Sequence, residues 1–320
     1  MQFRPLGQTG LDIAPIVFGG NVFGWTADEA RSFALLDAFV DAGFNAIDTA
    51  DVYSRWVPGH EGGESEALIG RWLRANPARR RQVLLFTKVG SDMGDERKGL
   101  GAHWMERAVE DSLRRLNTDV IDLYQSHRPD PETPYEETLA VYDRLLKAGK
   151  IRAFGCSNFD ARRLAEAQDS ARLNGLPAYQ VLQPEYNLVE RAGYDGPLRD
   201  LAMRQGLGVI PYYSLASGFL TGKYRSDKDL GRSPRGGAVR KYLTPRGLRI
   251  LDALDQVAQR RGTQPAVVAL AWLIARDGVT APIASATDVG QLRSFSAASE
   301  LALTEGERAL LDQASGPEAA

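Results

Sequence analysis

Between residues 16 and 284, short apolar runs rich in β-branched residues alternate with longer stretches whose apolar positions recur at helical spacing. Eight such runs stand out, at residues 16–18, 46–48, 83–88, 121–125, 151–156, 181–183, 208–211 and 280–284. The intervening stretches predict helices over 27–42, 65–75, 103–116, 135–148, 160–173, 197–205 and 288–297. Repeated βα units predict a parallel sheet, and eight of them predict a closed (β/α)8 TIM barrel. A Rossmann sheet lacks its signature, because no GxGxxG follows any of the runs.

Three regions stand outside the repeat. Residues 3–13, with Gly7 and Gly10 at turns, read as an N-terminal β-hairpin that closes the barrel bottom. Residues 224–242 are basic and Gly-rich, and read as a mobile loop or lid too polar to pack. Two helices in succession, 245–261 and 265–276, precede the last run, so one is extra to the ring. Gly218 to Tyr224 superficially resembles a phosphate loop. It is one residue short, however, and has Tyr224 where Ser or Thr must meet the metal.

Composition narrows the function classes. Lys+Arg 39 against Asp+Glu 41 gives a formal net charge of -2, which provides no basic field for nucleic acid or anionic lipid. With 43% hydrophobic and 25% charged residues, the 320-residue chain is expected to bury a large core, as a single domain over 1–320. Cys156 is the only cysteine, which precludes an intrachain disulfide or a Cys-rich zinc site, and it reads as a core residue. His60, His103 and His127 form no close metal-ligand pair, so no metal is expected. No signal peptide or membrane-length apolar run is visible, and the expected compartment is the cytoplasm.

Barrel chemistry sits at the C-terminal ends of the strands. There the second run ends in Asp48, the third in Lys88, and His127 follows the fourth. Each has an ordinary reading alone: Asp48 a helix cap or turn, Lys88 a solvated strand end, His127 a loop residue. Barrel closure brings the three to one rim, where a desolvated Asp48–Lys88 pair forms. Tyr53 follows Asp48 on the same loop, and a neighbouring cation such as Lys88 favours its phenolate, making Tyr53 a general acid for hydride addition to a carbonyl. Lys88 as a Schiff base in an isomerase or aldolase is an alternative that leaves Tyr53 idle.

The motifs as a set resemble the aldo-keto reductase family. Gly43-Phe44-Asn45-Ala46-Ile47-Asp48-Thr49-Ala50-Asp51-Val52-Tyr53 is similar to its first signature, followed by Gly63-Glu64-Ser65-Glu66, Thr87-Lys88, Asp122-Leu123-Tyr124 with His127, Gly155-Cys156-Ser157-Asn158-Phe159, Gln183-Pro184-Glu185-Tyr186-Asn187 and Leu220-Thr221-Gly222-Lys223-Tyr224. The resemblance covers essentially the whole chain. It implies a tetrad of Asp48, Tyr53, Lys88 and His127, with Tyr53 the proton donor, Lys88 and Asp48 lowering its pKa, and His127 orienting the carbonyl oxygen. It further implies that Ser157, Asn158 and Gln183 hold a nicotinamide carboxamide while Tyr212 stacks on the ring. Gly20 and Asn21 would line the cofactor, Tyr213, Ser214, Leu215 and Gly218 would run along its pyrophosphate, and Lys223 is a nearby cation.

Two departures bear on specificity. Thr287 stands where NADP-selective members usually carry Arg or Lys for the 2′-phosphate, leaving Ser285, Thr287, Gln291 and a lid arginine as candidate contacts. NADPH is the expected cofactor, with NAD possible. The loop from Ser54 to Gly62 is longer than expected and makes Trp56, with Phe23 and Trp25, a candidate substrate wall for flat or apolar carbonyl compounds. The expected activity is reduction of an aldehyde or ketone, with no nucleic acid or membrane partner. The rival expectation is a cofactor-binding regulatory subunit resembling potassium-channel β subunits, against which stands the lack of a segment before Phe3.

Overall fold

The computed structural model describes residues 1–94 and 96–316. Its elements run in chain order as β1 (Arg4–Pro5), β2 (Asp12–Ile13), β3 (Val17–Gly19), α1 (Glu29–Asp41), β4 (Ala46–Asp48), α2 (Glu64–Ala75), β5 (Leu84–Val89), α3 (Ala102–Leu116), β6 (Ile121–Ser126), α4 (Tyr135–Lys147), β7 (Ile151–Ser157) and α5 (Ala161–Asn174). They continue as β8 (Val181–Gln183), α6 (Pro197–Arg204), β9 (Gly208–Val209), α7 (Gly236–Val239), α8 (Pro245–Arg261), α9 (Pro265–Ile274), β10 (Ile283–Ala284), α10 (Val289–Glu300) and α11 (Glu305–Ser315).

Strands β3 to β9 pair in sequence, all parallel, and β10 pairs with β3. The ring closes through the N–H groups of Thr280 and Ile283, which donate to Val209 O and Pro211 O at 2.8 Å each. Each expected run forms a strand of the barrel. The hairpin is also present: β1 and β2 are antiparallel, and Arg4 Nη1 donates to Ile274 O at 2.9 Å. Asn45, immediately before β4, donates to Asp12 O at 2.9 Å and accepts from the Ala14 N–H, so the hairpin covers the N-terminal ends of the strands.

Inside the ring, Val17, Ala46, Phe86, Leu123, Ala153, Val181, Ile210 and Ile283 form one buried apolar cluster, sealed from below by Leu6, Leu11 and Ile13. Side chains alternate along a strand, so the residue two positions on faces the same interior one layer higher. That step gives Gly19, Asp48, Lys88, Gln125, Gly155, Gln183, Tyr212 and Ser285. An apolar layer thus carries a mostly polar one, and the polar layer lies at the strands' C-terminal ends.

Two regions differ from the expectation. Residues 224–242 are short helical turns rather than an unpacked loop, because Tyr224, Val239 and Tyr242 are buried and Arg225 Nη2 donates to both carboxylate oxygens of Asp255 at 2.8 and 2.7 Å. Helix α11 was not expected. It begins at Thr304, whose side chain and that of Glu307 cap each other's backbone N–H, and it packs on α8 through Arg261 and Glu307 at 2.7 Å. Helix α8 is therefore the one added to the ring. No helix among the described residues is long and apolar enough to cross a membrane.

Candidate active site

The polar layer and the loops above it bring the expected carboxylate, ammonium, phenol and imidazole together. Lys88 Nζ donates to Asp48 Oδ2 at 2.7 Å, to Thr49 O at 2.7 Å and to Tyr53 OH at 3.0 Å, so all three ammonium hydrogens have acceptors. Asp48 Oδ1 accepts from Gln183 Nε2 at 2.9 Å, with Gln125 Nε2 at 3.5 Å. The Tyr53 and His127 rings lie edge to face, with centroids 6.0 Å apart. His127 Nδ1 lies 3.0 Å from Ser91 Oγ. Thr49 Oγ1 donates to Ser65 Oγ, which donates to Gly20 O, both at 2.8 Å, pinning the loop that carries Tyr53 to the strand β3 exit.

Electrostatically, burial pushes the Asp48 carboxyl up and the Lys88 ammonium down, while their mutual attraction opposes both shifts. Burial and the Asp48 carboxylate hold the Tyr53 phenol well above its ordinary value. The net direction is opposite to the one expected from the neighbouring lysine alone, because burial and Asp48 outweigh it. Burial, then the positive charges of Lys88 and Arg128, push His127 well below the ordinary histidine value, so its imidazole is neutral at neutral pH. The rim therefore presents a protonated phenol and a neutral imidazole beside a buried ion pair.

The model of the aldo/keto reductase family matches residues 15–315. The chain belongs to the aldo/keto reductase family. It is 33% identical over 310 residues to an uncharacterized oxidoreductase of Bacillus subtilis, covering 95% of this chain and 92% of that protein. It is 32% identical to the L-glyceraldehyde 3-phosphate reductase of Escherichia coli, over 98% of this chain and 92% of that one. It is also 32% identical to a probable voltage-gated potassium channel subunit beta of Oryza sativa, over 91% and 89% of the two chains. Aldo-keto reductases are oxidoreductases that use nicotinamide cofactors and act on small carbonyl compounds.

The residues that the resemblance assigns to the cofactor are placed as follows. Ser157 Oγ donates to Gln183 O at 2.8 Å, Asn158 Nδ2 to His127 O at 2.8 Å, and Tyr212 OH to Asn158 Oδ1 at 2.7 Å. Asn158 adopts a left-handed φ of 63, where asparagine is among the tolerated side chains. Across the barrel, Ser285 Oγ donates to Asn21 Oδ1 at 2.6 Å, and a Cβ on Gly19 would stand 2.6 Å from that hydroxyl. Backbone needs to pass close here, which is what Gly19 and Gly20 permit. Ser214 is buried and donates to Ile283 O at 2.7 Å, tying the loop after β9 to β10. Tyr213, half-exposed, and Gly218 have left-handed φ of 55 and 95, Leu215 is half-buried, and Lys223 is exposed with its ammonium 5.1 Å from the Tyr224 ring. The Thr287 N–H donates to Gln291 Oε1 at 3.1 Å.

Of the three aromatic side chains expected at the substrate wall, two come together. Trp25 and Trp56 meet edge to face at 5.8 Å, and Trp56 lies 6.0 Å from the Tyr53 ring. Phe23, in contrast, is fully buried and stacked on Phe18 at 5.2 Å, so it is a core residue with no face toward a substrate. Sequence reasoning missed Gln125 and Ser91; the inward place of Gln125 follows from the register that sets it opposite Lys88. Of the arginines in the 224–242 segment, Arg235 has its guanidinium 5.2 Å from the Trp25 ring, and its buried Nη2 has no hydrogen-bond partner among the described residues. Cys156 is buried and free, as a core residue should be, and burial pushes its thiol up.

Proposed function

We propose that this protein is a nicotinamide-dependent carbonyl reductase in which Tyr53 delivers the proton to the carbonyl oxygen. The observation that carries the reading is the placement of Lys88 Nζ against Asp48, Thr49 O and Tyr53 OH together. Because the ammonium donates to the phenol oxygen, the phenol's own hydrogen points elsewhere and is available to a substrate. The reduced nicotinamide, when bound, supplies the hydride to the carbonyl carbon. Tyr53 then gives its proton to the oxygen as negative charge develops there, and Lys88 stabilises the tyrosinate left behind. In the tautomer that lets Ser91 donate to Nδ1, the neutral His127 carries its hydrogen on Nε2 and holds the carbonyl oxygen in place.

The groove fits such a cofactor: a close-packed backbone at Gly19 and Gly20, amide and hydroxyl groups at Ser157, Asn158 and Gln183, and the ring of Tyr212. The orphaned Arg235 Nη2 is a donor suited to a phosphate. For the 2′-phosphate, Asp288 occupies the N-cap of α10 and disfavours an anion, while the Arg293 guanidinium stands 3.4 Å from where a Cβ on Gly290 would be and offsets it. NADPH is accordingly assigned as the preferred cofactor and NADH as a tolerated one. In Arg293→Gln, the NADPH-supported rate should fall while the NADH-supported rate holds; equal losses would reject this assignment.

The test of the reaction is the initial rate of nitrobenzaldehyde reduction. Tyr53→Phe should lose turnover by about 10²-fold or more while still binding the cofactor. Retention of most activity would reject Tyr53 as the acid. The relative described as a potassium channel subunit favours a second reading, a cofactor-binding regulatory subunit. That reading expects tight cofactor binding with little turnover by the wild-type protein.

A further inference from the structure

Behind Lys88, on the outer side of the barrel wall, lies a buried carboxyl that this chemistry does not use. Asp51 sits between Asp48 and Tyr53, and its N–H donates to Lys88 O at 3.3 Å. Its side chain is 1% exposed, neither carboxyl oxygen has a side-chain hydrogen-bond partner among the described residues, and only the backbone N–H of Val52 reaches it. The groups facing it are Glu66 of α2, Arg115 of α3, Lys88 of β5, Tyr124 of β6 and, on its own loop, Tyr53. The buried hydroxyl of Tyr124 likewise has no partner among the described residues.

The charges pair off without Asp51. Lys88 holds Asp48 at 2.7 Å, and Arg115 holds Glu66 at 2.7 Å, with Thr87 Oγ1 donating to the other Glu66 oxygen at 2.6 Å. An ionised Asp51 would be a third buried anion against two cations that are already engaged. A carboxyl so placed takes up a proton rather than bear that cost. Burial first, and the Glu66 charge second, act in this direction and outweigh Arg115, the Val52 N–H and Lys88, which oppose it.

We propose that Asp51 is a carboxylic acid held protonated at neutral pH and serves as a positioning residue for Tyr53, filling the space behind Lys88 without placing a second anion beside the phenol. Its proton is lost only at alkaline pH. The new negative charge then opposes phenol ionisation, which slows proton delivery, so carbonyl reduction acquires an alkaline limb belonging to Asp51. This consequence for rate rests on the reductase reading; the protonation of Asp51 does not.

The experiment is infrared spectroscopy of the whole protein with carbon-13-labelled aspartate carboxyls, alongside the pH profile of kcat/KM. At neutral pH the wild type should show the carbonyl band of a protonated aspartic acid. Label should move that band, Asp51→Asn should remove it, and Tyr124→Phe, which keeps Asp51, should shift it. The alkaline limb should be lost in Asp51→Asn. Absence of the band, or a band indifferent to both variants, overturns the assignment. A limb unchanged in Asp51→Asn overturns the action on Tyr53. If the band behaves as expected but no aldehyde is turned over, the protonated acid stands and the reductase reading fails.

Discussion

Lys88 and Asp48 pair at 2.7 Å with side chains 0% and 2% exposed, and for such a pair the loss of one member differs from the loss of both. Lys88→Met leaves an uncompensated buried carboxylate and should cost about 3–5 kcal/mol of unfolding free energy. The double variant Lys88→Met, Asp48→Asn removes the orphaned charge, so it should be more stable than the single one, as urea denaturation will measure. Additive losses would mean that the two side chains do not interact as an ion pair. At this scale the meeting of Asp48, Tyr53, Lys88 and His127 was legible because strand ends and loop starts fall at fixed places in the pattern. Ser91 and Asp51 were not, because neither a loop hydroxyl nor an unpartnered carboxyl has any sequence signature. The direction of the Tyr53 shift was also out of reach: it depends on how deeply the phenol is buried and how near Asp48 lies.

Elements were legible where a period persists. Strands such as Ala46–Asp48 and Val181–Gln183, and helix Pro245–Arg261, have the expected bounds. The segment 224–242 was misread because its many charges obscure the few anchors, Tyr224, Val239 and Tyr242, whose burial orders it. Helix α11 is short, but Thr304 and Glu307 stand at capping-box spacing ahead of Leu310 and Leu311, a signal present in the chain and passed over. Loss of that cap has a definite expectation. Thr304→Ala exposes N-terminal N–H groups of α11 and should lower stability by about 1 kcal/mol. Turnover should be untouched, because the helix packs on α8, and a change in thermal midpoint without a change in rate would bear this out.

Across the whole molecule, the barrel separates stability from chemistry by layer. The lower interior is apolar and floored by the hairpin, while the layer above carries Asp48, Lys88, Gln125 and Gln183. This division follows from the two-residue alternation in each strand and was implicit in the chain, but which alternate residue faces inward became fixed only when the parallel register was known, as with Lys88 opposite Gln125. Leu6 tests the division. It is fully buried in the hairpin beneath the interior cluster and presses on Gly208, where a Cβ would stand 2.7 Å from Leu6 Cδ1. Leu6→Ala should therefore cost about 2–5 kcal/mol, read from the urea midpoint. Per folded molecule, the rate of carbonyl reduction should stay at the wild-type value, since the apolar layer lies between Leu6 and the Lys88–Tyr53 contact. A fall in kcat at full folding would instead mean that packing at the barrel floor sets the geometry of the rim, and the two layers would then act as one unit.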